Sequence, residues 1–371
     1  METVRAFAAC APGLEDVVSA DLARLGIPGR PGAGGVAFDA DDSTLARAHL
    51  GLGSALFVSL EVGSFGAKGF EELEKKGARL PWNRFIEPGR PVRFKVTTSK
   101  SRLYHTGAIA QRLEALLSRS VGDPDPSMTP LHIRVNVQRD TFRLWIDASN
   151  PALRQRGYRL HPGKAPLRED LAYALLSDAG VGPGFEGLIW DPFCGVGTIP
   201  IEAALKTQNQ APCLFRSFAF ESFPWFDPVR LEEERERAQS RLVPADGTSI
   251  LGSDRNPKAI EHARANAQTA GIAHRIRFAS GTLQERLADA LSARRGVLVC
   301  NPPYGRRLSG QRNLRLLFQA LGAAYRRLGP GWRLAMVSAD PRWTAATGLS
   351  LQTTRRVDHG GIQIALLVSS T

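Results

Sequence analysis

The chain has 371 residues, enough for two or three domains when one domain takes about 150. Hydrophobic residues make up 43% and charged residues 23% of the sequence, which excludes a disordered, collagenous or disulfide-scaffold chain. The formal net charge of +12 favours a polyanionic partner such as nucleic acid.

Neither a membrane span nor a disulfide framework is expected. No stretch reaches the ~18 to 20 apolar residues that cross a membrane, and the first residues lack the pattern of a signal peptide. The cysteines are far apart and have no clustered histidine partners, so reduced thiols and no metal site are expected at Cys10, Cys194, Cys213 and Cys300. These features predict a cytoplasmic protein.

The first 150 residues are predicted to form two small α+β units. The first should contain, in chain order, a strand at 4–8, a helix at 13–25, a turn rich in glycine and proline at 26–35, a strand at 36–38 and a helix at 44–49. The second should contain a strand at 56–63, a helix at 70–78, a strand at 91–97, a helix at 107–117 and a hairpin of strands at 132–138 and 141–147. Val92, Phe94 and Val96 alternate with polar residues, which predicts one buried sheet face.

From Leu188 onward, short apolar runs alternate with helical patterns, which is typical of βαβ units and a mainly parallel sheet. Strands are expected at 188–190, 249–252, 276–279, 297–300, 333–337, 350–355 and 362–368. The last two are joined by a turn containing Gly360 and Gly361, whereas a parallel connection needs about a dozen residues. The final strand should therefore pair antiparallel.

A glycine-containing loop follows the first of these strands, at the sheet edge where open α/β proteins bind ligands. It runs from Asp191 to Thr198 and precedes a predicted helix. Gly195 and Gly197 permit a tight turn and a close approach of ligand, and the helix terminus offers free N–H groups. Simple packing of the turn is the alternative interpretation.

A second motif, Ser253-Asp254-Arg255-Asn256-Pro257, follows the next strand. An acidic residue at this position accepts both hydroxyls of a ribose in nucleotide-binding βαβ folds. Helix capping is the alternative for Asp254, and its pairing with the glycine loop favours the nucleotide.

A third motif, Asn301-Pro302-Pro303-Tyr304, directly follows another apolar strand. Two successive prolines remove two N–H donors and fix the direction of the carbonyl acceptors. Asn301 Oδ1 and the Pro302 carbonyl could each accept one N–H of a base amino group, and Tyr304 could stack on the ring. A proline-rich turn with a packing tyrosine is the alternative.

The ordered set DPFCGVGT, SDRNP and NPPY resembles the S-adenosylmethionine-dependent class I methyltransferases that act on amino nitrogens. With LRQRGYRLHPGKAPLREDL (153–171) and FAFESFPWFD (218–227), it is similar to the bacterial THUMP-domain guanine-N2 methyltransferases of 23S ribosomal RNA. The resemblance covers nearly the whole chain. It implies an α/β protein in which an N-terminal α+β region, ferredoxin-like plus THUMP, precedes a Rossmann-like seven-stranded methyltransferase domain with an antiparallel last strand.

The resemblance implies four segments along the chain. These are an N-terminal ferredoxin-like domain at 1–60, a THUMP RNA-binding domain at 61–150, a linker and cofactor-covering segment at 151–185, and the class I methyltransferase domain at 186–371. Arg156 to Arg159 and Lys164 to Glu169 resemble the covering segment, with a linker helix as the alternative. An aromatic cluster is expected to pack in the core rather than line a base pocket: Phe218, Phe220, Phe223, Trp225 and Phe226.

The resemblance also implies S-adenosylmethionine as cofactor, without a metal. The cofactor-binding residues would be Asp191, Pro192, Cys194, Gly195, Gly197, Thr198, Asp254, Arg255 and Thr282. Many relatives carry an acidic residue after the third strand, where this chain has Ala279-Ser280-Gly281-Thr282, so a backbone group or the Thr282 hydroxyl would bind the adenine. The guanine amino group would be held by Asn301, Pro302, Pro303 and Tyr304.

The expected activity is therefore methyl transfer to guanine N2 in a structured RNA, 23S ribosomal RNA or an assembling large ribosomal subunit, by a monomer. A transfer RNA guanine-N2 methyltransferase uses the same chemistry and is the first alternative. A DNA amino methyltransferase and a non-catalytic RNA-binding assembly factor are the others.

Overall fold

The computed structural model describes residues 3–163, 166–303 and 311–370, without the side chains of residues 311 and 312. Its first half contains β1 (Val4–Ala9), α1 (Glu15–Arg24), β2 (Arg30–Gly32), β3 (Gly35–Ala40), α2 (Asp42–Gly51), β4 (Phe57–Gly66), α3 (Phe70–Gly77), α4 (Trp82–Phe85), β5 (Val92–Ser99), α5 (Thr106–Val121), β6 (Leu131–Gln138) and β7 (Thr141–Asp147).

All seven strands of the first half join one sheet, in the order β2-β3-β1-β4-β7-β6-β5. The predicted boundary between residues 60 and 61 falls inside β4, which pairs with β1 on one side and β7 on the other. The division into two domains stays a prediction. The turn predicted at 26–35 is wrong in part, because it contains β2, an edge strand whose outer position tolerates Pro31.

The second half contains α6 (Glu169–Asp178), β8 (Gly187–Asp191), α7 (Thr198–Thr207), α8 (Pro228–Ser240), β9 (Thr248–Asp254), α9 (Pro257–Thr269), β10 (Ile276–Ser280), α10 (Leu283–Leu291), β11 (Gly296–Cys300), α11 (Gln311–Leu328), β12 (Trp332–Ser338), α12 (Pro341–Ala346), β13 (Leu351–His359) and β14 (Ile362–Ser369). Its sheet has the order β10-β9-β8-β11-β12-β14-β13. The strands β8 to β12 pair parallel, and β14 pairs antiparallel with both neighbours. The predicted fold class is confirmed, including the antiparallel last strand.

The two halves meet over a shared apolar core. Four residues of the aromatic cluster are buried, which bears out their predicted core role, and Phe218 and Phe220 pack on His49 of α2 with ring centroids 5.1 and 4.5 Å away. Arg47 of α2 also donates two hydrogen bonds, of 2.8 and 2.9 Å, to the buried carboxylate of Glu234 in α8. The cluster therefore joins the halves. None of the helices among the described residues is long and apolar enough to span a membrane.

Candidate active site at the carboxyl ends of the second sheet

Parallel pairing brings the three predicted motifs to one edge of the second sheet. Asp191, the last residue of β8, lies opposite Gly252 of β9, two residues before Asp254. On its other side β8 pairs with β11, whose end leads directly into Asn301. Because the carboxyl ends of parallel strands share an edge, the loops after β8, β9 and β11 form one candidate site.

The glycine loop turns through two residues in the left-handed region. Gly195 has φ of +53° and Gly197 has φ of +90°, conformations that favour glycine. A Cβ at Gly197 would lie 3.1 Å from Cβ of Ala263, so α9 packs closely there, whereas a Cβ at Gly195 would have no neighbour within 4 Å. The loop therefore closes onto α9 at Gly197 and leaves open space beside Gly195 for a ligand.

Asp254 connects the glycine loop to β9. Its Oδ2 accepts the Gly195 N–H at 3.1 Å, and its Oδ1 accepts the Asn256 N–H at 2.9 Å. The helix-capping alternative does not hold, because the N-cap of α9 is Asn256, whose side chain accepts the Lys258 N–H. A carboxylate has about four lone-pair sites, so Asp254 retains acceptors for a pair of ribose hydroxyls. This donor and acceptor set fits a nucleoside cofactor.

Asp191 lies beneath the loop and is buried. Its Oδ1 accepts the Phe193 N–H at 3.0 Å. Burial raises the pKa of this carboxyl well above its usual value, and the neighbouring charge of Asp254 raises it further. Burial also raises the pKa of the Cys194 and Cys300 thiols, so neither thiolate is available as a nucleophile at this edge.

The other predicted cofactor residues differ in their surroundings. Pro192 is buried and Arg255 is exposed. Thr198 opens α7, and its hydroxyl accepts a hydrogen bond of 2.9 Å from Arg159. Thr282 caps α10: its Oγ1 accepts the Glu285 N–H, and its own N–H donates to the Glu285 carboxylate at 2.8 Å. Their contacts with a cofactor stay predictions.

Asn301 presents an unused acceptor. Its Oδ1 is buried and has no hydrogen-bond partner among the described residues. Pro302 is buried and Pro303 is exposed. Tyr304, the fourth predicted residue of this motif, lies outside the described residues, as do Lys164 and Ala165 of the covering segment.

Sequence reasoning missed Asn266, a buried residue of α9 that connects two loops at this edge. Its Oδ1 accepts the N–H groups of Leu160 and His161, at 2.9 and 3.1 Å, and its Nδ2 donates to the Val196 carbonyl at 3.0 Å and the His161 carbonyl at 3.3 Å. One side chain thereby holds the covering segment against the glycine loop. Its signal in the sequence was an amide between Ala263 and Ala267, within the apolar stripe of α9.

Buried ionic contacts fasten the covering segment to α7. The Glu202 carboxylate accepts a hydrogen bond of 3.0 Å from the Tyr158 hydroxyl and lies 3.5 Å from Arg156 Nε. Arg159 donates a hydrogen bond of 2.9 Å to the Thr198 hydroxyl of α7, and within the segment it pairs with Glu169 at 2.8 Å. The segment therefore lies on the helix that begins at the glycine loop. The described ranges contain no group of three or more His, Cys, Asp or Glu side chains placed to hold a metal ion.

Two family profiles match the chain. One, described as an RMKL-like methyltransferase domain (UPF0020), matches residues 156–367. The other, described as an RlmL ferredoxin-like domain, matches residues 5–56.

Individual relatives extend the likeness over nearly the whole chain. The ribosomal RNA large subunit methyltransferase K/L of Hahella chejuensis is 30% identical over 92% of this chain, which spans only 50% of that protein. The crystal structure of a predicted N6-adenine-specific DNA methylase from Listeria monocytogenes is 30% identical, with a TM-score of 0.85 and coverage of 99% and 96% of the two chains. That of SMU.472, a candidate methyltransferase complexed with SAH, is 28% identical, with a TM-score of 0.87 and coverage of 100% and 98%.

Proposed function

The chain belongs to the UPF0020 family of RMKL-like methyltransferases, and we propose that it methylates the exocyclic N2 of a guanine in ribosomal RNA. S-adenosylmethionine is the cofactor, in agreement with the glycine loop, the free acceptors of Asp254 and the SAH complex of the related SMU.472. The ribosomal substrate is supported by the likeness to the K/L enzyme.

One observation carries the choice of an amino group: Asn301 Oδ1 is buried and has no hydrogen-bond partner within the part of the chain that the structure describes. A buried acceptor without a donor costs about 1 to 3 kcal/mol, and a substrate N–H would offset that cost. Pro302 and Pro303 have no N–H groups, so the backbone beside Asn301 offers acceptors only. The acceptors at this edge therefore suit a base amino group.

The proposed mechanism depends on two hydrogen-bond acceptors, Asn301 Oδ1 and the Pro302 carbonyl. When bound, S-adenosylmethionine supplies an electrophilic methyl group on its sulfonium. Asn301 Oδ1 and the Pro302 carbonyl accept the two N–H bonds of guanine N2, which makes the nitrogen lone pair less delocalised and orients it. Alignment of this kind supplies roughly 7 to 11 kcal/mol of barrier reduction. The methylated nitrogen is acidic and loses its extra proton to water, so no strong general base is needed.

The remaining predicted residues take supporting roles in this proposal. The cofactor is lined by Asp191, Pro192, Cys194, Gly195, Gly197, Thr198, Asp254, Arg255 and Thr282, and Pro303 and Tyr304 hold the base. Residues 61–150 act as the RNA-binding THUMP domain beside the ferredoxin-like domain at 1–60, and residues 151–185 cover the cofactor on the methyltransferase domain at 186–371. The enzyme acts as a monomer on 23S ribosomal RNA or an assembling large subunit.

A DNA amino methyltransferase is the second candidate, because the related Listeria protein is described as an N6-adenine-specific DNA methylase. An amino clamp alone does not distinguish guanine N2 from adenine N6. The net charge of +12 suits either nucleic acid.

Incubation with labelled S-adenosylmethionine separates the candidates. The purified chain is offered ribosomal RNA, transfer RNA and genomic DNA in parallel, each is digested to nucleosides, and the methylated nucleoside is identified by mass spectrometry. The proposal expects N2-methylguanosine from ribosomal RNA. N6-methyladenine from DNA, or N2-methylguanosine from transfer RNA alone, would contradict it.

A further inference from the structure

One face of the first sheet carries side chains that reach solvent. Alternate residues of its strands are buried against the helices, among them Ala6, Phe38, Leu60, Ile133, Val135 and Leu144. The residues between them point the opposite way. We call this opposite side the open face and define it by Arg5, Phe7, Phe57, Glu61, Arg93, Lys95, His132, Arg134, Asn136, Arg143, Trp145 and Asp147, all partly or fully exposed except Asp147.

Strand register arranges the open face in rows that cross the sheet. Lys95 of β5 lies opposite Arg134 of β6, which in turn lies opposite Trp145 of β7. Asn136 and Arg143 form part of the next row. Rows two residues apart are separated by about 7 Å, since each residue advances a strand by ~3.4 Å.

Aromatic rings are interleaved with the cations on this face. Phe7 and Trp145 have ring centroids 6.2 Å apart at an interplanar angle of 60°. The guanidinium of Arg134 lies over the ring of Phe57, with Cζ 3.5 Å from the ring centroid. Phe7, Phe57 and Trp145 are all only half-buried, so part of each ring remains available to a ligand.

The open face is positively charged. Of the residues that define it, five are cations, Arg5, Arg93, Lys95, Arg134 and Arg143, and two are carboxylates, Glu61 and Asp147. Arg30 and Asp39 lie on the same side near the edge of the sheet and pair with each other at 3.0 Å, so they add no net charge. Glu61 pairs with Arg5 at 3.5 Å, and Asp147 pairs with Arg134 at 3.8 Å. The other three cations are exposed and have no ion-pair partner among the residues that the structure describes. Their charge is therefore available to an anionic partner.

We propose that the open face binds an unpaired segment of RNA. Bases stack on Trp145 and Phe7, while phosphates contact Arg93, Lys95 and Arg143. Stacking of this kind requires bases that are not already paired and stacked in a duplex, so the face selects loops or single strands. This inference rests on the proposed function, because it makes the open face the place where the RNA substrate is held.

The test measures binding of fluorescein-labelled RNA to the full chain by anisotropy, with S-adenosylhomocysteine present. The variant Lys95→Glu/Arg143→Glu alters the open face. The control Lys75→Glu/Arg119→Glu makes the same charge change at exposed positions of α3 and α5, the helices behind the sheet.

We expect the open-face variant to weaken binding of an unpaired RNA about tenfold or more. For this variant, the slope of log K against the logarithm of the salt concentration should become shallower by about 1.4, because each of the two lost phosphate contacts contributes ~0.7 to the slope. The control should bind within about twofold of the wild type.

A second variant, Trp145→Leu, tests stacking separately from charge. We expect about fivefold weaker binding or more with an unchanged salt slope. Calorimetric binding of S-adenosylhomocysteine verifies that each variant is folded.

Several outcomes would overturn the inference. The first is equal weakening of RNA binding by the open-face and control variants. The second is tighter binding of a hairpin duplex than of the unpaired RNA. The third is loss of self-association in the open-face variant, which would identify a second copy of the chain as the occupant of this face. If the wild type methylates RNA while the open-face variants bind normally, only this inference fails. If the wild type neither binds nor methylates RNA, the proposed function fails with it.

Discussion

In the proposed function, single side chains at the strand ends determine what this molecule binds. Asp254 and Asn301 were found from the sequence because each directly follows an apolar run, and strand order then predicts a shared edge. Asn266 was not found, since a helical amide surrounded by alanines carries no spacing that distinguishes a loop clamp from an ordinary helix residue. Its four hydrogen bonds depend on loops that are distant in the chain and meet only in the folded structure.

Replacing Asp254 by alanine should weaken cofactor binding. Two ribose hydroxyls would lose a charged acceptor, and hydrogen bonds to charged groups contribute about 1.5 to 3 kcal/mol each, so the loss of two should raise the Kd for S-adenosylhomocysteine by about a hundredfold or more. Isothermal titration calorimetry measures this, with Asp246→Ala as the control, because Asp246 is exposed before the opposite end of β9. An unchanged Kd in Asp254→Ala would remove this residue from the ribose site.

At the scale of elements, the parallel sheet was predictable and the first sheet less so. Most strands of the second sheet contain a short apolar run, with the polar strand β13 as the exception, and the short turn at Gly360 forces the antiparallel ending. In the first half, the pattern marked separate strands and one hairpin, β6 and β7, but did not show how the other strands pair. The continuous sheet through β4 and the edge strand β2 were therefore missed. Pairing of strands far apart in sequence is a tertiary property.

The covering segment should loosen when its link to the glycine loop is broken. Asn266→Asp retains both acceptors but places an oxygen against the Val196 and His161 carbonyls, which then lack a donor. We expect faster amide exchange at Leu160 and His161, and a Kd for S-adenosylhomocysteine about tenfold higher. Hydrogen exchange with mass spectrometry and calorimetry provide the two readouts.

The control for that prediction is Gln268→Glu, an exposed change of the same type on the same helix, which should alter neither quantity. Normal exchange at residues 160 and 161 in Asn266→Asp, together with a normal Kd, would show that the segment is held by other contacts. The contacts of Arg156 and Tyr158 with Glu202, and of Arg159 with Thr198, would then be sufficient.

At the scale of the whole molecule, the halves are joined by a buried apolar contact, to which ion pairs such as Arg47–Glu234 are added. His49 lies at its centre, where Nδ1 donates to the Leu45 carbonyl at 2.8 Å and Nε2 accepts the Ser149 hydroxyl at 3.1 Å. The ring packs against Phe218 and Phe220 from the other half. Both ring nitrogens have a hydrogen-bond partner in the neutral form, and burial lowers the pKa of His49 to about 3.

Acid should therefore weaken the molecule through His49. In the unfolded chain His49 takes up a proton near its ordinary pKa of 6.5, and in the folded chain only near a pKa of 3. The stability that the neutral ring contributes is therefore complete above pH 6.5 and is lost as the pH falls from 6.5 towards 3. We expect the free energy of unfolding to fall by up to about 1.4 kcal/mol per pH unit below pH 6.5, relative to His49→Gln. Urea unfolding between about pH 7 and about pH 5 measures the difference.

His274→Gln, at an exposed turn before β10, is the control and should keep the wild-type pH dependence. If His49→Gln and the wild type lose stability in parallel as the pH falls, the neutral histidine is not what makes the joint between the halves sensitive to acid.

The most direct test of the central claim compares ribosomal RNA from a strain lacking this protein with RNA from the same strain carrying either the wild type or Asn301→Ala. Digestion and mass spectrometry quantify N2-methylguanosine, and fragment mapping locates it. We predict that one N2-methylguanosine disappears in the deletion strain, returns with the wild type, and fails to return with Asn301→Ala although that variant still binds S-adenosylhomocysteine. Unchanged N2-methylguanosine in all strains, or full restoration by Asn301→Ala, would contradict the account.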